Sequence, residues 1–219
     1  MPKWHLKPEN TAKRRAFRGH SHIHIAKTEK KIYSQYMIAE TVIEALIAET
    51  VHGFNENDEC FSKSRDVFSA RMQNYILETN KYLEAAIIGE IGNNTFDHNF
   101  IFQQGLPWGI YCNLLYKEKY IALVDYGMGV RQSLASVLPS IGSDVEAVET
   151  AFTKRISGRS PEQRGNGLKF VSETIQENNW HLYFQSGSGS CSIVRHGINF
   201  FEKTPSIMGC LAILDLNRE

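Results

Sequence analysis

Glu90, Asn94 and His98 recur at i, i+4 and i+8, with Asp97 at i+7, so all four fall on one stripe of a helix. The amide of Asn94 can give an oxygen to a hard cation without repelling phosphate, and Glu90, one turn earlier, can polarise an attacking water. Asp125 ends the apolar run Tyr120–Asp125 (YIALVD) and opens Asp125-Tyr-Gly127-Met-Gly129. An acidic side chain at the mouth of a strand can accept a hydrogen bond from an exocyclic amine, and the glycines let the backbone turn close to a ligand. A third stretch, from Lys154, ends in Arg164-Gly165-Asn166-Gly167-Leu168. A Gly-x-Gly that opens a helix sets free N–H groups and the positive end of the helix dipole where phosphates can sit, with Arg155, Arg159 and Arg164 to neutralise their charge. It is no Walker loop, because GxxxxGK[ST] occurs nowhere in the chain. Each stretch also has a plainer reading: a solvated helix face, a strand-to-helix turn and a surface loop.

These residues need elements to hold them. Apolar residues at helical spacing predict amphipathic helices over Tyr36–Val51 and Asp66–Leu83, separated by a polar loop around Gly53–Asp58. A further helix ends near Asn99, its apolar side supplied by Leu83, Ile87 and Ile91. Trp108–Tyr116 and Tyr120–Asp125 flank a short Lys-Glu-Lys turn and read as an antiparallel hairpin. Helices are expected over Val145–Lys154 and from Gly167 to about Glu177. Three strands follow, Trp180–Gln185, Cys191–His196 and Met208–Leu216, with Ser/Gly turns between them. The pattern is α+β, without the βαβ alternation of a doubly wound parallel sheet.

At 219 residues, 42% hydrophobic and 22% charged with no net charge, the composition is that of an ordinary globular protein. No apolar run approaches the roughly 18 residues of a membrane span, and the start lacks a signal-peptide core, so an intracellular, cytoplasmic protein with no membrane partner is expected. The four cysteines form no CxxC pair and read as small buried hydrophobes. Charge is uneven: residues 1–33 hold nine basic and two acidic residues, a net of +7, which leaves −7 on residues 34–219. This basic arm could touch nucleic acid or fold back on its own domain, the second being favoured. Within it His20, His22 and His24 would share one face of a strand, as a metal site requires, or simply line a polar strand edge.

In order and separation, the three stretches resemble the asparagine box and the two glycine boxes of the GHKL ATPases (gyrase, heat-shock chaperone, histidine kinase and mismatch repair). The resemblance covers about residues 75–217 and lies closest to the anti-sigma-factor kinases and histidine-kinase ATPase domains. It implies a Bergerat-type two-layer sandwich, helices on a mixed, mostly antiparallel sheet, that binds ATP and Mg2+. By position, Glu90 matches the general base and Asn94 the Mg2+ ligand. Asp97 and His98 fall beside the nucleotide, Asp125 matches the adenine-reading aspartate with Gly127 and Gly129 around the base, and Arg159, Arg164, Gly165, Asn166, Gly167 and Leu168 match the phosphate-binding box. Residues 1–33 are then an arm, 34–74 a helical extension and 75–219 the ATP-binding domain. Thr95 stands where the family has a small alanine, Gly209-Cys210 where it often has Gly-Thr, and no further glycine follows Leu168.

Three functions follow from this resemblance: an ATPase or nucleotide switch acting on a partner protein, a serine/threonine kinase of the anti-sigma type, or a nucleotide-binding module whose basic arm contacts nucleic acid. Self-phosphorylation is disfavoured, because His52, the histidine near the early helices, lacks the acceptor motif of histidine kinases. By analogy with relatives, those helices leave a homodimer open.

Overall fold

The structure is a computed structural model, and it describes residues 38–98, 108–117, 119–154 and 167–216. These belong to one compact unit beginning at Ile38. Six helices and five strands are present among them: α1 (Glu40–His52), β1 (Phe61–Ser62), α2 (Arg65–Thr79), α3 (Tyr82–His98), β2 (Ile110–Tyr116), β3 (Tyr120–Asp125), α4 (Gly129–Ala135), α5 (Asp144–Thr153), α6 (Gly167–Glu177), β4 (His181–Val194) and β5 (Gly197–Asp215). The strands form one open sheet in the order β1-β2-β3-β5-β4. Every pairing in it is antiparallel, so the mixed sheet expected from the sequence becomes a purely antiparallel one.

Side chains alternate across a strand, so each strand faces two layers. On one face Ile121 and Leu123 of β3, Ile110 and Cys112 of β2, and Ala212 and Leu214 of β5 pack with Ile87, Ile88 and Ile91 of α3, Val148 and Phe152 of α5, and Val171 and Ile175 of α6. On the other face Tyr120, Ala122 and Val124 of β3, together with Leu211 and Ile213 of β5, cluster with Val42, Ile43, Leu46 and Ile47 of α1. The sandwich therefore has a third layer where α1 covers the second face, an addition to the two layers expected. The reason is in the strands: both sets of alternating residues are apolar, and burying each large aliphatic side chain is worth roughly 1.5–3 kcal/mol. Glu49 of α1 accepts a hydrogen bond from Tyr116 Oη at 3.0 Å, and the described part of the stretch 34–74 contributes to the core.

Several boundaries differ from expectation; the last strand, expected over Met208–Leu216, already starts at Gly197 and pairs with Val194 of β4 there. The helix expected over Asp66–Leu83 stops at Thr79, because Asn80 adopts a left-handed conformation (φ 55°) and its N–H closes on Ile76 O at 2.8 Å. Asparagine tolerates that conformation, which ends α2 and lets α3 start in a new direction. Gly92 then lets α3 approach α2, since a Cβ there would overlap the Phe68 ring. The Ser/Gly turn expected between Gln185 and Cys191 is absent, and β4 runs through it with register shifts around Gly187. Gly187 (φ 61°) and Gly189 lie against Asp144, the first residue of α5, so these glycines serve close approach of a helix end. Asp144 Oδ2 accepts from Ser188 N at 2.9 Å and from Ser188 Oγ at 3.2 Å. The reading of Gly127–Gly129 as a turn into a helix agrees with the short α4, which starts at Gly129.

Candidate functional site

α3 meets the end of β3 through Thr95. Asp125, the last residue of β3, lies on the helical face of the sheet and is only 7% exposed. A buried carboxylate needs donors, and among those of Asp125 are Gly127 N, which donates to Oδ1 at 2.8 Å, and Thr95 Oγ1, which donates to Oδ2 at 3.1 Å. The first bond is local and bends the chain through Tyr126 to Gly127. The second ties β3 to α3, thirty residues earlier in the sequence.

The floor under Asp125 is β5. Gly209 (φ 77°) packs on the Asp125 carbonyl, where a Cβ would overlap the oxygen. Cys210 is the register partner of Asp125. Burial, followed by the nearby Asp125 charge, pushes its thiol well up from the ordinary value, so this cysteine is a neutral SH group beside the carboxylate. Ser186 of β4 donates to Gly209 O at 3.0 Å and accepts from Val130 N at 2.9 Å. It thereby pins the first turn of α4 to the sheet, and Gly129 (φ 73°) brings the backbone so near that a Cβ would lie 2.8 Å from Ser186 Oγ. The glycine turn is thus braced from both ends.

Asn94 and Glu90 lie on α3 beside Thr95. Asn94 Nδ2 donates to Glu90 O at 2.9 Å, which fixes the amide so that its Oδ1 remains as the acceptor. Glu90 is exposed, and its carboxylate rests against Gly167, the first residue of α6: a Cβ built there would overlap Glu90 Oε2 and sit 3.5 Å from Cδ. Asp97 behaves differently from its neighbours. Its Oδ1 is ion-paired with Arg65 at the start of α2, and the same guanidinium lies 5.9 Å over the Phe96 ring. Asp97 thus clasps α2 to α3. His98 is the last residue of α3 and half-buried.

The structure therefore gathers Glu90, Asn94, Asp125, Gly127, Gly129 and Gly167 around α3, with Leu168 turned toward the core behind them. Arg159, Arg164, Gly165 and Asn166 lie outside the described residues, as do His20, His22 and His24 and the rest of the basic arm. Among the described residues no group of three His, Cys, Asp or Glu could hold a metal alone. A Mg2+ ion brought in on a polyphosphate requires no such cage, since it keeps waters and phosphates and takes one or two protein oxygens. Three supporting residues were not singled out as site residues from the sequence: Thr95, Ser186 and Gly209. The sequence marks Thr95 and Gly209-Cys210 only by comparison with the pattern it resembles, and Ser186 falls in an expected turn. Among the described residues, no helix is long and apolar enough to cross a membrane. No protein-family model matches the chain, and no curated protein sequence matches it.

Proposed function

We propose that this chain is a Mg2+-dependent ATP-binding protein of the GHKL type, with a Bergerat-type arrangement of its α+β layers, and that its nucleotide state governs a partner protein. One observation carries the reading: α3 meets both other boxes, Asp125 through the Thr95 hydrogen bond and Gly167 through the Glu90 carboxylate. A merely solvated helix face would require neither contact. In this reading Asp125 accepts from the 6-amino group of adenine while Gly127 and Gly129 allow the backbone to approach the base. Asn94 Oδ1 is an oxygen for Mg2+, and the N-terminal end of α6 faces the phosphates. Bound Mg2+-ATP supplies an electrophilic terminal phosphate, and Glu90 is placed to take the proton of the acceptor hydroxyl.

Titration calorimetry with ATP and Mg2+ tests the binding site. Asp125→Asn keeps shape and the Gly127 bond but turns a donor toward the amine. A hydrogen bond to a charged group is worth about 1.5–3 kcal/mol, so ATP affinity falls roughly ten- to hundredfold. Asn94→Ala lowers affinity in Mg2+ more than in EDTA. If both variants bind ATP as the wild type does, the family reading is wrong. With γ-labelled ATP, release of free phosphate supports a hydrolysing switch, and label on a co-purified protein supports the anti-sigma-type kinase. Neither product, with salt-sensitive retention of DNA or RNA, supports a binding module with a nucleic-acid arm.

A further inference from the structure

Glu90 stands on α3 and Gly167 opens α6, and the core behind them fixes the two helices to each other, with Ile87, Ile88 and Ile91 of α3 packed with Val171 and Ile175 of α6. Cα–Cβ directions on a helix tilt toward its N-terminus, so the space off the Gly167 Cα lies beside the mouth of α6, where the free N–H groups point. The Glu90 carboxylate fills that space: a Cβ on Gly167 would overlap Oε2 and lie 3.5 Å from Cδ. A residue with a side chain would hold the carboxylate off. Glu90 is exposed, and its carboxylate makes no hydrogen bond or ion pair among the described residues. Lys169, in the first turn of α6, is paired with Glu173 at 3.8 Å. The negative charge of Glu90 is left to the positive end of the α6 dipole, which favours an anion at that place.

We propose that Glu90 restrains nucleotide binding: in the empty protein its carboxylate occupies the end of α6 assigned above to the phosphates, and it thereby sets the preference of the site between a nucleoside triphosphate and a diphosphate. This restraint presupposes the nucleotide reading above and adds to it a group that regulates the same site. Two anions at one helix end repel each other. A unit charge 4 Å from another in water opposes binding by about fivefold, and a terminal phosphate carries about two charges. The opposition falls on the phosphate that reaches α6. A diphosphate ends one phosphate earlier and keeps its charge farther away, and a nucleoside brings no charge at all. A triphosphate has to turn the carboxylate aside, which a flexible, exposed glutamate allows. Glu90 then stands beside the terminal phosphate and no longer against α6, where the role of base assigned to it requires it to be.

Titration calorimetry with the non-hydrolysable β,γ-imido analogue of ATP, with ADP and with adenosine tests this on the wild type, Glu90→Gln and Glu90→Ala. Glu90→Gln keeps the shape and removes the charge. Glu90→Ala also removes the amide, so a gain shared by both variants comes from the lost charge and not from a new hydrogen bond. Glutamine and alanine both favour a helix at an exposed position, and circular dichroism checks the fold. At about 50 mM salt both variants should bind the triphosphate roughly fivefold or more tighter than the wild type, gain less for ADP and bind adenosine unchanged. Raising the salt to about 0.5 M should shrink the gain. A residue that acts as a base alone would lose turnover and leave affinity as it was. An unchanged ratio of triphosphate to diphosphate affinity in both variants, a gain confined to Glu90→Gln, or an equal change for adenosine overturns the restraint while nucleotide binding stands. A wild type that binds none of the three removes the nucleotide reading and the restraint together.

Discussion

Gly209→Ala is the most direct test of how the Asp125 corner is built. Gly209 has φ 77°, a conformation that costs an L-residue about 1–2 kcal/mol. The added Cβ would also overlap Asp125 O and lie 2.7 Å from both Asp125 C and Oδ1. The obstacle is backbone, in a strand paired to β5 through Asp125 and Cys210, so it cannot step aside as a flexible side chain would. Overpacking of this kind costs about 1–3 kcal/mol more. The expected loss is therefore about 2–5 kcal/mol, and at ~2–4 °C per kcal/mol for a chain of this size the melting temperature falls by about 4–20 °C. Gly89→Ala is the control. Gly89 lies on α3 with nothing within 4 Å of a built Cβ, so alanine gains helix propensity and stabilises by about 0.5–1 kcal/mol. Thermal melts by circular dichroism and urea titrations measure both. A Gly209→Ala loss below about 1 kcal/mol, or the same sign for both substitutions, would refute the close approach of β5 to Asp125.

Asp97→Asn removes the Arg65 clasp, a pair half open to solvent, and should cost at most about 1 kcal/mol in urea titrations while leaving ATP affinity unchanged; a tenfold loss of affinity would return Asp97 to the nucleotide. Stability should also fall at alkaline pH. Burial pushes Tyr126 up from 10 to about 12, Cys60 from 9 to about 11 and Cys112 from 9 to about 12. The unfolded chain releases these protons first, so the folded state holds more protons between pH 9 and 12. Stability is full below about pH 9 and declines as pH rises through that window. Urea midpoints measured from pH 8 to 11 check this, and Tyr126→Phe should flatten the decline. A midpoint that rises above pH 9 would contradict the burial of these groups.

Elements whose causes are local could be read from the chain. The β2–β3 hairpin is two apolar runs around a charged turn, and α6 runs from Gly167 to Glu177 as its apolar spacing and opening glycine imply. Elements whose causes are tertiary could not. Asn80 permits a left-handed break without requiring one, and apolar spacing runs on through it, so the sequence alone does not separate α2 from α3 there. The run Ser186–Ser190 has turn composition, yet its glycines are there for Asp144, over forty residues away. The cover of α1 over the second sheet face was hidden for a similar reason. Periodicity reveals that a helix has an apolar side but not which surface receives it.

The candidate site divides along the same line. Residue types suffice to suggest an amide for a cation at Asn94 and a carboxylate for an amine at Asp125, because that chemistry belongs to each side chain. What makes the two one site is the bond from Thr95, together with the brace of Ser186 between Val130 N and Gly209 O. Against the pattern the sequence resembles, Thr95 and Cys210 are departures, a bulkier residue on the helix and a thiol on the strand where that pattern often has a hydroxyl. In space both meet the same residue: Cys210 is the register partner of Asp125, and the Thr95 hydroxyl donates to its carboxylate from the helix. A hydrogen bond needs a donor at the right place and not at a particular point along the chain. The element that supplies the donor to Asp125 is therefore visible only once the fold is known.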